Sequence, residues 1–188
     1  RSNLFLCSLP EPKMIKLPIP SMEGHSTERL IFRRPSMNDC DWWMEFINSP
    51  DCLRFLGLKV GDPASCTFFI QKSLDRIPRN GTCLNAVIER ATNKPVGMVG
   101  LLTQEVEGEM ELEIGYHMLP SAWGKGYAKE AAVACKAFAA DHQLAPSVVS
   151  LIDPANFASQ AVAKHNGMEF QRKVIFRDEE LFLFRTKV

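Results

Sequence analysis

No excess of charge of either sign marks this sequence: Lys plus Arg and Asp plus Glu both number 22, so the formal net charge is zero. Proteins that hold nucleic acid through its phosphates carry a basic surplus, so DNA and RNA are not expected partners. The six cysteines (Cys7, Cys40, Cys52, Cys66, Cys83, Cys135) stand singly and form no CxxC pair. The four histidines (His25, His117, His142, His165) show neither HxxxH nor HxH spacing, so no metal site is expected. Scattered cysteines in a chain of this size fit a reducing, cytoplasmic compartment better than a disulfide framework. No apolar run approaches the ~18 residues that a membrane span needs. The opening stretch has Arg1 followed by Leu4, Phe5 and Leu6, too short for a signal-peptide core. Residues 1–13 read as leader or appended sequence, with Met14 as a possible chain start.

What is present suits one domain. The chain has 188 residues, 46% hydrophobic and 23% charged, the balance of an ordinary globular protein. Pro10, Pro12, Pro18 and Pro20, closed by Gly24, predict a flexible, extended arm over residues 1–26. A domain over 27–188 follows. Arg29–Arg34 reads as a strand halted by Pro35. Asn38 or Asp39 can cap a helix through Trp42, Trp43, Phe46 and Ile47, which Ser49-Pro50 stops. Asp62-Pro63 opens a second helix, expected to end before Pro78.

Three strands then form a meander: Thr82–Glu89, Val96–Gln104 and Met110–Leu119, with turns at Ala91–Lys94 and Gly108. An Ala-rich helix runs from Gly126 to about His142. A strand follows over Ser147–Ile152, then a helix from Asn156 to His165 that Gly167 terminates. Strands Glu169–Phe176 and Leu181–Arg185 close the chain. The fold class expected is α+β: a mixed, mostly antiparallel sheet of six to seven strands with helices on both faces.

Chemistry concentrates where a strand meets a helix, in Met118-Leu-Pro-Ser-Ala-Trp123-Gly-Lys-Gly-Tyr-Ala128. A first helical turn offers unpaired N–H groups and the positive end of the helix dipole, so it attracts phosphate. Gly124 and Gly126 remove Cβ atoms in front of those groups, Ala128 keeps the next turn slim, and Lys125 adds charge. A plain Gly-rich turn before a close-packed helix explains the same residues. GxxxxGK[ST] and GxGxxG spacings are both absent, which excludes a Walker loop and a dinucleotide fingerprint.

Two further segments break the tie: Glu113-Ile-Gly-Tyr116, and Asn156-Phe-Ala-Ser159-Gln-Ala-Val162 running on to Gly167-Met168. With Trp123-Gly-Lys-Gly-Tyr-Ala-Lys-Glu-Ala131 they resemble the GNAT superfamily of N-acetyltransferases. The likeness is nearest to its ribosomal-protein N-terminal acetyltransferase branch (RimJ/RimL-like) and spans about residues 27–186. It implies acetyl-CoA as cosubstrate, no metal, and direct attack of an amine on the thioester without an acyl-enzyme. The acceptor it implies is a peptide N-terminus or small amine, and the protein a monomer or homodimer.

Residue by residue, the resemblance places cofactor contacts at Tyr116, His117, Met118, Trp123, Gly124, Lys125, Gly126, Tyr127, Ala128, Asn156, Ser159 and His165. It implies a gap between the strands at 113–119 and 147–152, and an oxyanion-binding N–H near Tyr116 to Met118. Glu113 and Ser159 are the catalytic candidates, as base and as hydrogen-bond donor to the leaving sulfur. Glu113 reads equally as a salt-bridge partner, Ser159 as a helix serine bonding its own backbone, and Asn156 as a plain N-cap. His117 also suits a packed residue, and His165 a C-terminal cation. Glu109 and Glu111 read as solvated, Cys135 as packing, and the two leading helices as the acceptor's wall. The chain departs from the superfamily at Ala163, where many members carry a Tyr general acid. That departure leaves open a catalytically silent acyl-CoA-binding domain. An α-amino group of pKa about 7.7–8.0 needs only ~1.4 kcal/mol to deprotonate at pH 7, a lysine about 4.6, which favours an N-terminal or low-pKa amine as acceptor.

Overall fold

The computed structural model describes residues 14–188, so Cys7 and the 1–13 leader lie outside the described residues. The sheet has seven strands in the order β1-β2-β3-β4-β5-β7-β6. They are β1 (Leu30–Arg33), β2 (Asn85–Glu89), β3 (Lys94–Val106), β4 (Glu109–Met118), β5 (Ser147–Ile152), β6 (Glu169–Phe176) and β7 (Glu179–Lys187). Every neighbouring pair is antiparallel except β4 and β5. Helices α1 (Cys40–Ile47), α2 (Pro50–Leu53), α3 (Pro63–Asn80), α4 (Tyr127–Asp141) and α5 (Phe157–His165) cover it. The expected class, a mostly antiparallel mixed sheet carrying helices, is the one observed. None of the described helices is long and apolar enough to cross a membrane.

Local chemistry explains the element ends. Asp62 accepts a bond from Ala64 N–H at 3.0 Å and Pro63 fills the first position of α3, as the sequence predicts. The helix does not stop before Pro78 but runs to Asn80. In the last turn a proline forfeits one N–H bond, and Gly81, at φ 80°, then closes the helix by bonding Ile77 C=O. Asp39 heads α1 without capping it. Its carboxylate instead takes Arg33 at 2.6 Å, Ser36 N–H at 2.8 Å and Trp42 Nε1 at 2.9 Å. Ser49-Pro50 ends α1 but also starts α2, because Ser49 accepts Cys52 N–H.

The arm, mostly exposed over 14–26, is nevertheless anchored at two points. Ile19 and Met22 are buried, Lys16 N–H bonds Leu144 C=O, and Ile19 N–H bonds Asn80 C=O. The segment bends at Leu17-Pro18 and turns at Glu23-Gly24, which brings its spaced apolar residues to the core and its backbone to the ends of α3 and α4. Glu111 is likewise not solvated. It is buried on β4 and bidentate to Arg185 at 2.6 and 2.9 Å. Ser147 shares that guanidinium at 2.7 Å. Burial makes both charges need each other, which period-2 parity could not reveal.

Small residues let α4 lie close on the sheet: Ala131, Ala132, Cys135 and Ala139 are all buried. The Cys135 thiol, pushed up by burial, packs beside Met22 Sδ, and the five described cysteines are free. Beyond Val99, β3 loses its β2 partner, and α3 covers the edge. Arg76 donates to Thr103 C=O at 3.0 Å and to Gln104 Oε1 at 3.3 Å.

Candidate active site

β4 and β5 touch at a single rung, Glu113↔Val149, and part beyond it. The β3–β4 register runs unbroken from Val106↔Glu109 to Gly97↔Met118, and Leu119 N–H bonds Val96 C=O at 2.9 Å. Alternation therefore turns the backbone of His117 toward β3 and the N–H groups of Tyr116 and Met118 into the gap. The carbonyls agree. Ile114 C=O accepts from Ser150 Oγ at 2.9 Å and Met118 C=O from Trp123 Nε1 at 3.0 Å. Two backbone donors thus face a cleft with no strand opposite, the arrangement an oxyanion requires.

Below the cleft, Leu119 leads through a short turn into α4. Gly124 and Gly126 sit at φ 74° and 79°, a region other residues enter only under strain. A Cβ on Gly124 would meet nothing within 4 Å, and one on Gly126 only Arg29 Nη2 at 3.5 Å. The head of α4 therefore opens on free space, with no side-chain cap on its first turn. The N–H groups that follow Gly126, with the Lys125 charge beside them, make a helix start of the kind that attracts anions.

Arg29 fastens this turn, a role its sequence position did not suggest. It donates to Lys125 C=O at 2.9 Å and pairs with Glu130 at 2.6 Å. Its guanidinium lies 4.7 Å from the Tyr127 ring centroid. Burial alone would raise the Glu130 carboxyl, but hydrogen bonds from Thr27 and Arg29 prevail and hold it below the usual range. An acid in the first turn is thereby kept off the anion seat. Arg29→Ala should weaken CoA about 5- to 10-fold by titration calorimetry, through a loosened turn and an unpaired Glu130. Unchanged affinity would remove Arg29 from that role.

Tyr127 opens α4. Its side chain is buried and its hydroxyl donates to Glu89, so only its backbone N–H belongs to the turn. Trp123 is 49% exposed and bridges to Met118 through its indole N–H. Ala128 continues the first turn.

On α5, Asn156 accepts Ser159 N–H at 3.0 Å, which is N-capping. Ser159 C=O accepts the Tyr116 hydroxyl at 2.7 Å, so Tyr116 ties β4 to α5 beside the gap. Burial pushes the Tyr116 phenol up, and it stays protonated at neutral pH. Ala163 is buried where a Tyr would carry a hydroxyl. His165 is exposed at the end of α5, next to Asn166, whose side chain bonds Ala132 C=O of α4.

Glu113 and His117 alternate with Tyr116 and face the side of α1 and α3. The Glu113 side chain is half-buried. It accepts from Gln104 Nε2 at 2.7 Å and from the Leu151 N–H. Burial raises its pKa against those bonds, nearer the range a base needs. His117 lies edge-on to Phe46 and Phe69, at 5.8 and 5.3 Å. Burial lowers its pKa to about 4, so the ring is neutral at pH 7. Trp43, fully buried, stacks on Phe46 at 4.3 Å and leaves its Nε1 without a partner.

A folded pKa below the ordinary 6.5 stabilises the fold above that pH and loses the contribution as pH falls through about 4. His117→Phe should remove roughly 2 kcal/mol of the stability difference between pH 7 and pH 4, discounting the ring's solvent-facing part. Melting curves at the two pH values would show it, and an undiminished difference would assign the acid lability elsewhere.

Residues 29–169 match the acetyltransferase (GNAT) domain family. The chain is 34% identical over 107 residues to YkkB of Bacillus subtilis (strain 168), a match covering 57% of this chain and 62% of YkkB. An acetyltransferase structure from Agrobacterium tumefaciens superposes with a TM-score of 0.72 at 26% identity, covering 100% of this chain and 99% of that one. RimL, a ribosomal L7/L12 alpha-N-protein acetyltransferase solved with coenzyme A, shares the fold at 14% identity and TM-score 0.68, covering 86% and 96%. A strand fork and an open, glycine-led helix start on a matching sequence lead to one assignment: the chain belongs to the GNAT acetyltransferase family.

Proposed function

We propose that this protein moves the acetyl group of acetyl-CoA to a primary amine, a peptide N-terminus or small amine, in the manner of the RimJ/RimL-like branch. The observation that carries the reading is the fork between β4 and β5, which ends at the uncapped head of α4. Acetyl-CoA supplies an activated thioester. The first-turn N–H groups and Lys125 hold its phosphates, while the Tyr116 or Met118 N–H stabilises charge on the thioester oxygen. Glu113 takes the proton released by the attacking amine, directly or through water. Ser159, at the head of α5, is the donor assigned to the leaving sulfur. Asn156 serves by shaping that helix start, His117 and Phe69 wall the acceptor side, and His165 meets the nucleotide end.

The working unit is taken as residues 27–188 with the 14–26 arm along it, in a reducing cytoplasmic setting, as monomer or homodimer, without nucleic acid or metal. Buried Ala163 favours one rival, a CoA-binding domain without turnover, since that position holds no hydroxyl. Thiol release from acetyl-CoA against a panel of peptides and amines decides between them. Release with any amine supports transfer; CoA binding without release under every acceptor supports the silent domain.

A further inference from the structure

A cavity of about 480 Å³ lies between α3 and the tip of the β6–β7 hairpin, lined by Lys72, Arg76, Arg79 and Arg177 with Asp75 as the only carboxylate. Asp75 is engaged by Gln71 Nε2 at 2.8 Å. Among the described residues, none of the four cations is in a salt bridge. Arg76 spends its N–H groups on neutral oxygens, those of Thr103 and Gln104. Lys72 rests on the Phe68 ring at 5.7 Å, and Arg177 on the Phe176 ring at 4.7 Å. Four cations around a single lining carboxylate are costly, because they repel one another and are partly stripped of water. Burial first lowers both Lys72 and Arg76 from their ordinary values, the Arg177 charge adds to it, and the Glu113 charge opposes it.

The cavity adjoins the candidate base. Arg76 bonds Gln104, and Gln104 bonds Glu113. The charges of Lys72, Arg76 and Glu113 act on one another, and that of Arg177 reaches all three. The head of α4 lies elsewhere, at the far end of β4 past Leu119, so the CoA phosphates do not account for these cations. We propose that the cavity selects the acceptor: the amine that reaches Glu113 carries an anionic group, carboxylate or phosphoryl, which the Lys72–Arg76–Arg79–Arg177 cluster receives. The inference rests on the amine-transfer reading for naming the ligand an acceptor. Guanidinium groups suit this work because their planar forks match carboxylate and phosphate oxygens.

The test titrates CoA-loaded protein calorimetrically with matched amines: the peptides Ala-Glu-Glu and Ala-Gln-Gln, and 2-aminoethyl phosphate against ethanolamine. Within at least one pair the anionic member should bind about tenfold tighter. That advantage should shrink in about 0.5 M salt and vanish in Lys72→Glu and Arg177→Glu, both surface changes whose folding is checked by circular dichroism. A preference in the peptide pair names an acidic N-terminus, and one in the phosphate pair a small phosphorylated amine. Equal affinities within both pairs, no binding by either anion, or a preference that survives in both variants overturns the inference. Thiol release in the same samples separates the two readings. Preference without release retires acetyl transfer and keeps the anion site, and release without preference does the reverse.

Discussion

Glutamate in place of Gly126 is expected to weaken CoA binding at least about 100-fold, some 2.8 kcal/mol, while the protein stays folded. The residue sits at φ 79°, so any side chain adds roughly 1 kcal/mol of backbone strain. That part should lower the melting temperature by only a few degrees. The larger loss is electrostatic: a carboxylate about 4 Å from a phosphate costs around 4 kcal/mol at an effective dielectric constant of 20. Gly126→Ala separates the two effects, since it carries the strain without the charge and should lose far less affinity. Calorimetric titration with CoA provides the measurement. Normal CoA binding by the Gly126→Glu protein would move the phosphate seat away from the head of α4.

Glu113→Gln is expected to lower kcat by about 100- to 1,000-fold with CoA affinity unchanged within twofold, the range of a lost general base. The amide that replaces the carboxylate has the same shape and keeps one oxygen to accept from Gln104, and circular dichroism checks that the variant folds. Direction of pH dependence adds a second readout. Burial raises the Glu113 carboxyl above its ordinary 4.5, so the active, ionised form is lost as pH falls toward that raised value. The wild-type rate should therefore decline on the acid side earlier than an exposed glutamate would permit, and the variant should lack that limb. An unchanged rate in Glu113→Gln would reduce the residue to a buried structural acid.

How much of this is legible in the chain depends on the distance over which each signal acts. Asp62-Pro63 and Gly81 act within a turn, so α3 can be placed, and Pro78 misleads only because a proline in a final turn costs a single bond. Gly124 and Gly126 are legible because a positive φ is a demand of the local backbone. Tyr127, between the same glycines and the apolar helix, is not: its hydroxyl finds Glu89, 38 residues earlier in the chain. Glu111 and Glu113 have the same parity and similar neighbours in sequence. Their fates diverge because Arg185 arrives beside one and Gln104 beside the other. Arg29 and Glu130 each look ordinary alone, and their meeting across 101 residues is a fact of folding. The arm misleads for a related reason, since prolines report backbone shape and say nothing of what a passing Ile19 or Met22 will touch.

The lone ladder rung at Glu113↔Val149 divides the sheet into β1 to β4 and β5 to β7, which are otherwise tied by side chains such as Ser150 on Ile114 C=O and Arg185 on Glu111. Beyond that rung, the crevice presents backbone groups of β4 that no neighbouring strand pairs. Under the proposed transfer a bound donor adds contacts across this seam, so saturating CoA should raise the melting temperature of the protein.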